Sequence, residues 1–181
     1  MLVKNKDKFY KYLFIYKHLK FIKFETNIKD QELKIVINAL NIKSRYKRIK
    51  YIVNEGCRFI DQYYSKCNLC HFKNNICIYY RISNKNYING CCRKCRYQSN
   101  VGCTTKNVAC KLFNCSYVDY NGVEKLKFED VTLFKLLNHY QRYVLKNDYF
   151  SSIKTVTIDL YVGPMCLLIR LIIRVIEWVT I

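Results

Sequence analysis

The sequence predicts a mostly α protein in which helices flank a small cysteine-rich insert carrying a β-hairpin. Three observations predict it. Apolar residues recur at three-four spacing before residue 65 and after residue 129. Between residues 66 and 115 that periodicity gives way to polar residues and nine of the eleven cysteines. An Asn121-Gly122 step then separates two strand-like runs, the strongest short hairpin signal, because both central positions of such a turn need positive φ. The chain divides accordingly into a basic helical region (1–65), a cysteine-rich module with a hairpin (66–128) and a C-terminal helical region (129–181) that packs with the N-terminal helices. With 181 residues, 51% of them apolar, the chain can bury one core. Seventeen Tyr and ten Phe argue against disorder, and five Gly with one Pro exclude a collagenous chain.

The elements follow in order. Residues 30–41 form a helix with Leu33, Val36, Ile37 and Leu40 on one face and Asp30 as its cap. Ser44 opens a longer helix to about Ser65, with Tyr46, Ile49, Val53, Cys57, Ile60 and Tyr64 as the apolar stripe. Residues 76–82 read as a short strand, and Tyr117 to Leu126 as the hairpin. Asp130 caps a helix with Val131, Phe134, Leu137, Tyr140 and Val144 on one face. Ser151 or Ser152 caps another. Gly163-Pro164 breaks the chain, and Pro164 suits the first turn of a final helix to Ile181. That helix is apolar almost all round, with Arg170, Arg174 and Glu177 on one stripe. It packs into the core or a dimer, lies on a membrane surface, or inserts into the membrane. No internal repeat stands out.

The net charge is +19, and +10 of it falls in residues 1–50. Such a bias fits an acidic partner, either nucleic acid or an anionic membrane surface. Lys, Asn, Ile and Tyr are also the residues of AT-rich codons, and Lys is less suited than Arg to planar phosphate recognition. Arg45, Lys47, Arg48 and Lys50 crowd the start of the second helix, against its dipole, and are candidates for an anion contact. Residues 1–24 mix lysines with aromatics and contain no unbroken apolar run of a signal peptide. No charge-free run reaches about eighteen residues, so no transmembrane helix is predicted. The expected compartment is the reducing cytoplasm, with the C-terminal helix as a route to peripheral membrane contact. Disulfides are rare in that compartment.

The candidate metal ligands are Cys67, Cys70, Cys77, Cys91, Cys92, Cys95, Cys103, Cys110 and Cys115. Cys67/Cys70 and Cys92/Cys95 have CxxC spacing, which lets two sulfurs from one tight turn reach a single ion. These four make the first expected site, and Cys91, Cys103, Cys110 and Cys115 a second set. His71 beside Cys70 reads as a solvated loop histidine. From Gln62 to Val118 there is no Asp or Glu, while Lys66, Lys73, Arg81, Lys85, Arg93, Lys94, Arg96, Lys106 and Lys111 are present. Cations beside thiols lower their pKa and offset the negative charge of a tetrathiolate site. A module with so few large aliphatics also needs a staple, which in a reducing compartment is metal.

Cys91-Cys92, Cys95-Arg96-Tyr97, Gly102-Cys103 and Cys110-Lys111-Leu112-Phe113-Asn114-Cys115 together resemble a widespread bacterial cysteine-cluster family described as zinc- or iron-chelating. The resemblance spans roughly residues 67–115. It departs where the family has cysteines directly before the CC pair, and where Asn107-Val108-Ala109 replaces the family's Arg-Pro. It implies metal binding, by zinc or an iron–sulfur cluster, and no particular reaction.

Catalytic constellations are otherwise thin. His18, His71 and His139 are far apart, and no Gly-rich phosphate loop occurs. A metal-binding protein with a structural or sensing role is the leading expectation. A nucleic-acid binder presenting Arg45, Lys47, Arg48, Arg93, Lys94 and Arg96 on a metal-ordered surface is second. A thiol-redox protein using Cys92 and Cys95 is third, and the βαβ setting it would need is missing.

Overall fold

In the computed structural model the described residues are 1–67, 107–113, 124–149, 151–164 and Val175, with four two-residue strands at 72–73, 76–77, 98–99 and 102–103. The chain is mostly helical, as the periodicity predicts. Helix α1 covers Lys6–Tyr16, α2 Gln31–Asn41, α3 Arg45–Cys67, α4 Val108–Leu112, α5 His139–Asn147 and α6 Ile153–Val162. Strands β1 (Leu2–Val3) and β2 (Glu25–Thr26) pair in parallel, Leu2 opposite Glu25, with α1 as the crossover. Strands β3 (Phe72–Lys73) and β4 (Ile76–Cys77) pair antiparallel, as do β5 (Gln98–Ser99) and β6 (Gly102–Cys103).

The caps explain most helix starts. Asn5, Asp30, Asn107, Asn138 and Ser152 each accept a bond from a backbone amide of the first turn, satisfying donors that have no partner within the helix. Asp30 Oδ1 accepts from Leu33 N at 2.6 Å, and Lys6 Nζ donates to Asp30 Oδ2 at 2.7 Å, tying α1 to α2. The Lys6 bond, joined by the Leu33 amide and opposed by partial burial, holds the Asp30 carboxyl below its ordinary value. A depressed carboxyl stabilises the fold fully above its unfolded pKa, near 4, and loses that contribution as pH falls through the folded value. Asp30→Ala should therefore cost about 1 kcal/mol at neutral pH, and urea titrations should show the gap to wild type closing on acidification. A gap that is constant with pH would show that the charge on Asp30, and with it the Lys6 pairing, contributes nothing.

Helix α3 is the spine. Ile49, Ile52, Val53, Cys57 and Ile60 are buried along it, and it packs against α2, α4 and α6. Phe9, Leu13 and Phe24 from the N-terminal region, Phe128 to Leu137 from the middle, and Val156 and Leu160 from α6 join the same apolar cluster. The expected stripe holds at Ile49, Val53, Cys57 and Ile60, whereas Tyr46 is exposed and Tyr64 half-buried. Phe24 is bracketed by Asn41, whose Oδ1 accepts from Phe24 N at 2.9 Å and whose Nδ2 donates to Phe24 O at 2.8 Å.

One element differs from expectation. Asp130 does not open an α-helix. Its Oδ2 accepts from Lys127 N at 2.7 Å and closes a 3₁₀ turn over Phe128–Asp130, and a second 3₁₀ turn covers Thr132–Leu136. Val131, Thr132, Leu133 and Phe134 are all buried. Four consecutive buried residues cannot share one face of an α-helix, so the tighter, irregular backbone serves the core better. The α-helix starts at Asn138, where Asn138 and Gln141 cap each other reciprocally, Gln141 N donating at 2.8 Å and Asn138 N at 3.0 Å. Gly163, with φ of 80°, terminates α6 at the expected break. The expected strand 76–82 is described only at 76–77. In the expected hairpin, residues 117–123 lie outside the described residues and 124–126 have no strand pairing. The final helix likewise lies outside them, Val175 apart.

Candidate metal centre

The expected ligands divide by what the structure describes. Cys67 is the last residue of α3. Cys77 ends β4 opposite Phe72, and Cys103 ends β6 opposite Gln98. Cys110 lies on α4, where its Sγ donates to Tyr149 O. Cys70, Cys91, Cys92, Cys95 and Cys115 lie outside the described residues. Among the described residues no three His, Cys, Asp or Glu side chains stand close enough to hold an ion.

The strand pairing reveals a correspondence that fixed-period inspection of the sequence does not show. Each CxxC is followed by a hairpin whose second strand ends in cysteine. Two residues separate the paired strands in both cases. The spacings are Cys67-x2-Cys70-x6-Cys77 and Cys92-x2-Cys95-x7-Cys103. An aromatic residue stands two positions after the second cysteine of each CxxC, Phe72 and Tyr97, and the first residue of each two-residue connection is asparagine, Asn74 and Asn100. The units are only eleven and twelve residues long and differ by one insertion, which hides the repeat from inspection at a fixed period.

Helix α4 anchors the exit of this module to the core. Asn107 is 1% exposed. Its Oδ1 accepts from Cys110 N at 3.0 Å, and its Nδ2 donates to Asp148 O at 2.5 Å and Ser151 O at 2.8 Å. One side chain thus caps α4 and fastens it to the α5–α6 connection. Lys111, one of the cations expected beside thiolates, has a side chain 11% exposed and paired with Asp61 of α3. Its charge is therefore shared with a carboxylate rather than reserved for sulfur. Phe113 meets Tyr149 edge-on, with ring centroids 6.0 Å apart.

Cys57 stands apart from the ligand set. It is a buried thiol on α3, and burial pushes its pKa up to about 11, with Lys111 opposing and Asp61 adding to the rise. A thiol held protonated in the core is a small apolar residue and not a ligand. A cleft of about 340 Å³ lies beside α4, lined by Lys125, Lys127, Glu129, Lys146 and Tyr149 among others. Lys146 Nζ bonds Glu129 Oε1 at 2.7 Å and holds that carboxyl below its ordinary value.

The basic candidates are not brought into one described surface. Arg93, Lys94 and Arg96 lie outside the described residues. Arg45 sits over the Tyr161 ring, 5.7 Å from its centroid, and Tyr46 meets the same ring edge-on, so the start of α3 is packed on the end of α6. Lys47 and Arg48 pair with no carboxylate among the described residues. No described helix is long and apolar enough to cross a membrane. No protein-family model matches the chain, and no curated protein or solved structure matches it either.

Proposed function

We propose that the chain is a cytoplasmic metal-binding protein whose cysteine module holds two ions, one per repeat, in a structural or sensing role. The observation that carries the reading is the repeated unit: a CxxC followed by a two-residue-linked hairpin that ends in a third cysteine. Antiparallel pairing returns the chain to about 5 Å from its outgoing strand, and Phe72, the partner of Cys77, is two residues from Cys70. This favours Cys67, Cys70 and Cys77 for one ion, and Cys92, Cys95 and Cys103 for the other, over a shared site built from both CxxC pairs. Cys91, Cys110 and Cys115 are the fourth-ligand candidates. Zinc and iron–sulfur clusters both accept four thiolates, so the donor set fits either.

Protein purified without oxygen should carry about two ions per chain if each unit closes a tetrahedral site. A colourless protein identifies zinc, and a brown one with sulfide an iron–sulfur cluster. Cys77→Ser and Cys103→Ser should each reduce the content to about one, while Cys57→Ala should leave it unchanged. Absence of metal, together with few free thiols, would overturn metal binding itself. Metal content unaffected by either hairpin substitution would overturn only the assignment by repeat.

A nucleic-acid interface is the second reading, favoured by Lys47 and Arg48 at the start of α3, which have no carboxylate partner among the described residues. It requires binding that weakens steeply with salt and falls in Lys47→Ala/Arg48→Ala.

A further inference from the structure

Helix α1 buries Phe9 and Leu13. Phe14 and Ile15 lie on its opposite side, and Phe14 is 71% exposed. The helix is followed by tight turns closed by bonds from His18 N to Ile15 O and from Ile22 N to Leu19 O. These turns present Phe21 fully to solvent, with Ile22 exposed next to it. Four large apolar side chains thus project within nine residues. The flanking cations are equally one-sided. From Lys8 to Phe24 there are five lysines and no acid. Lys17 Nζ lies 4.6 Å from the centroid of the Phe14 ring. Lys23 pairs with Glu25 at 3.1 Å, and Lys11 and Lys20 are exposed with no carboxylate partner among the described residues.

We infer that the end of α1 and the turns that follow it form an anchor for an anionic lipid surface. Aromatic and aliphatic side chains that project beside lysines match the layered chemistry of a bilayer interface: apolar groups enter the acyl boundary while ammonium groups stay at the headgroups. A second copy of the chain fits this surface poorly, because isologous contact would set five lysines against five with only Glu25 of each copy, already paired with Lys23, to offset them. Nucleic acid would use the cations but leave Ile15 and Ile22 without a role. The lipid anchor is independent of the metal reading and places peripheral contact at the N-terminal end of the chain, not at the C-terminal helix.

The test is flotation of the full chain with vesicles of phosphatidylcholine, with and without roughly 30 mol% phosphatidylserine. Wild type should bind the anionic vesicles at about 0.1 M salt and be released at about 1 M, as the Debye length shrinks. Phe14→Ser/Phe21→Ser and Lys11→Glu/Lys20→Glu should each weaken binding at least about tenfold. Circular dichroism should show both variants folded, since all four side chains are exposed. Failure of wild type to float would overturn the proposal. Undiminished binding by the Phe variant would also overturn it and move the contact elsewhere, the 165–181 segment first. A wild-type dimer that the Phe variant converts to monomer would overturn it in favour of self-association. A nucleic-acid duplex that competes away vesicle binding, and whose own binding both variants abolish, would overturn it in favour of that partner.

Discussion

Phe134→Ala should destabilise the fold by about 3–5 kcal/mol, the range for emptying a well-packed aromatic site. Phe134 is fully buried and stacks on Phe128, with centroids 4.6 Å apart and planes at 21°. It packs directly against the backbone of α3 at Gly56. A Cβ at that position would lie 2.3 Å from Phe134 Cε1 and 2.6 Å from Cζ. Gly56→Ala should therefore destabilise by about 1–3 kcal/mol through overpacking, although alanine is the better helix former by up to about 1 kcal/mol. The two effects should couple. Once the ring is gone, the Gly56 methyl has room, and only its helix-propensity gain remains. Adding Gly56→Ala to Phe134→Ala should leave stability unchanged or slightly raised, as measured by urea unfolding of all four proteins. Simple additivity of the two losses would mean that the ring and the glycine do not constrain each other.

The second large effect belongs to Asn107. Asn107→Ala should cost about 3 kcal/mol, because it leaves the Asp148 and Ser151 carbonyls without their donor and removes the α4 cap. Asn107→Asp separates the two roles. Aspartate is as good a cap as asparagine, but it is an acceptor only and would aim a negative charge at two carbonyl oxygens. If capping dominates, the Asp variant should unfold like wild type. The expected result is a loss at least as large as that of the Ala variant, because the donor role dominates. If Asn107→Asp retained wild-type stability, the bonds to Asp148 O and Ser151 O would have no energetic importance.

These residues also mark where the sequence is legible. α2 and most of α3 could be read because their apolar spacing and the Asp30 cap are local signals, and the structure keeps both. The start of α5 was misplaced because Asp130 and Asn138 are both competent caps. Only tertiary burial of Val131 to Phe134 decides between them, and that burial comes from contacts distant in sequence. Asn107 looked like a departure from a family pattern; its partners are 41 and 44 positions away. Gly56 is a poor helix former inside α3, and the ring that requires it arrives from residue 134. The cysteine spacing named the candidate ligands, yet their grouping into two repeats needed strand pairing. The exposure of Phe14 and Phe21 has no sequence signal, because aromatics scattered among lysines are read equally well as core.

The Lys111–Asp61 pair joins the entry and exit of the cysteine module across 50 sequence positions. The length-dependent part of the entropy lost in closing a chain of that length is about 3.4 kcal/mol. Any cross-link formed inside the loop shortens the path that folding must close. An ion held by Cys92, Cys95 and Cys103, with its fourth ligand outside α4, would thus strengthen the docking of α3 on α4 without a ligand from either helix, and loosening the module would lower the melting temperature of a core whose contacts are all intact.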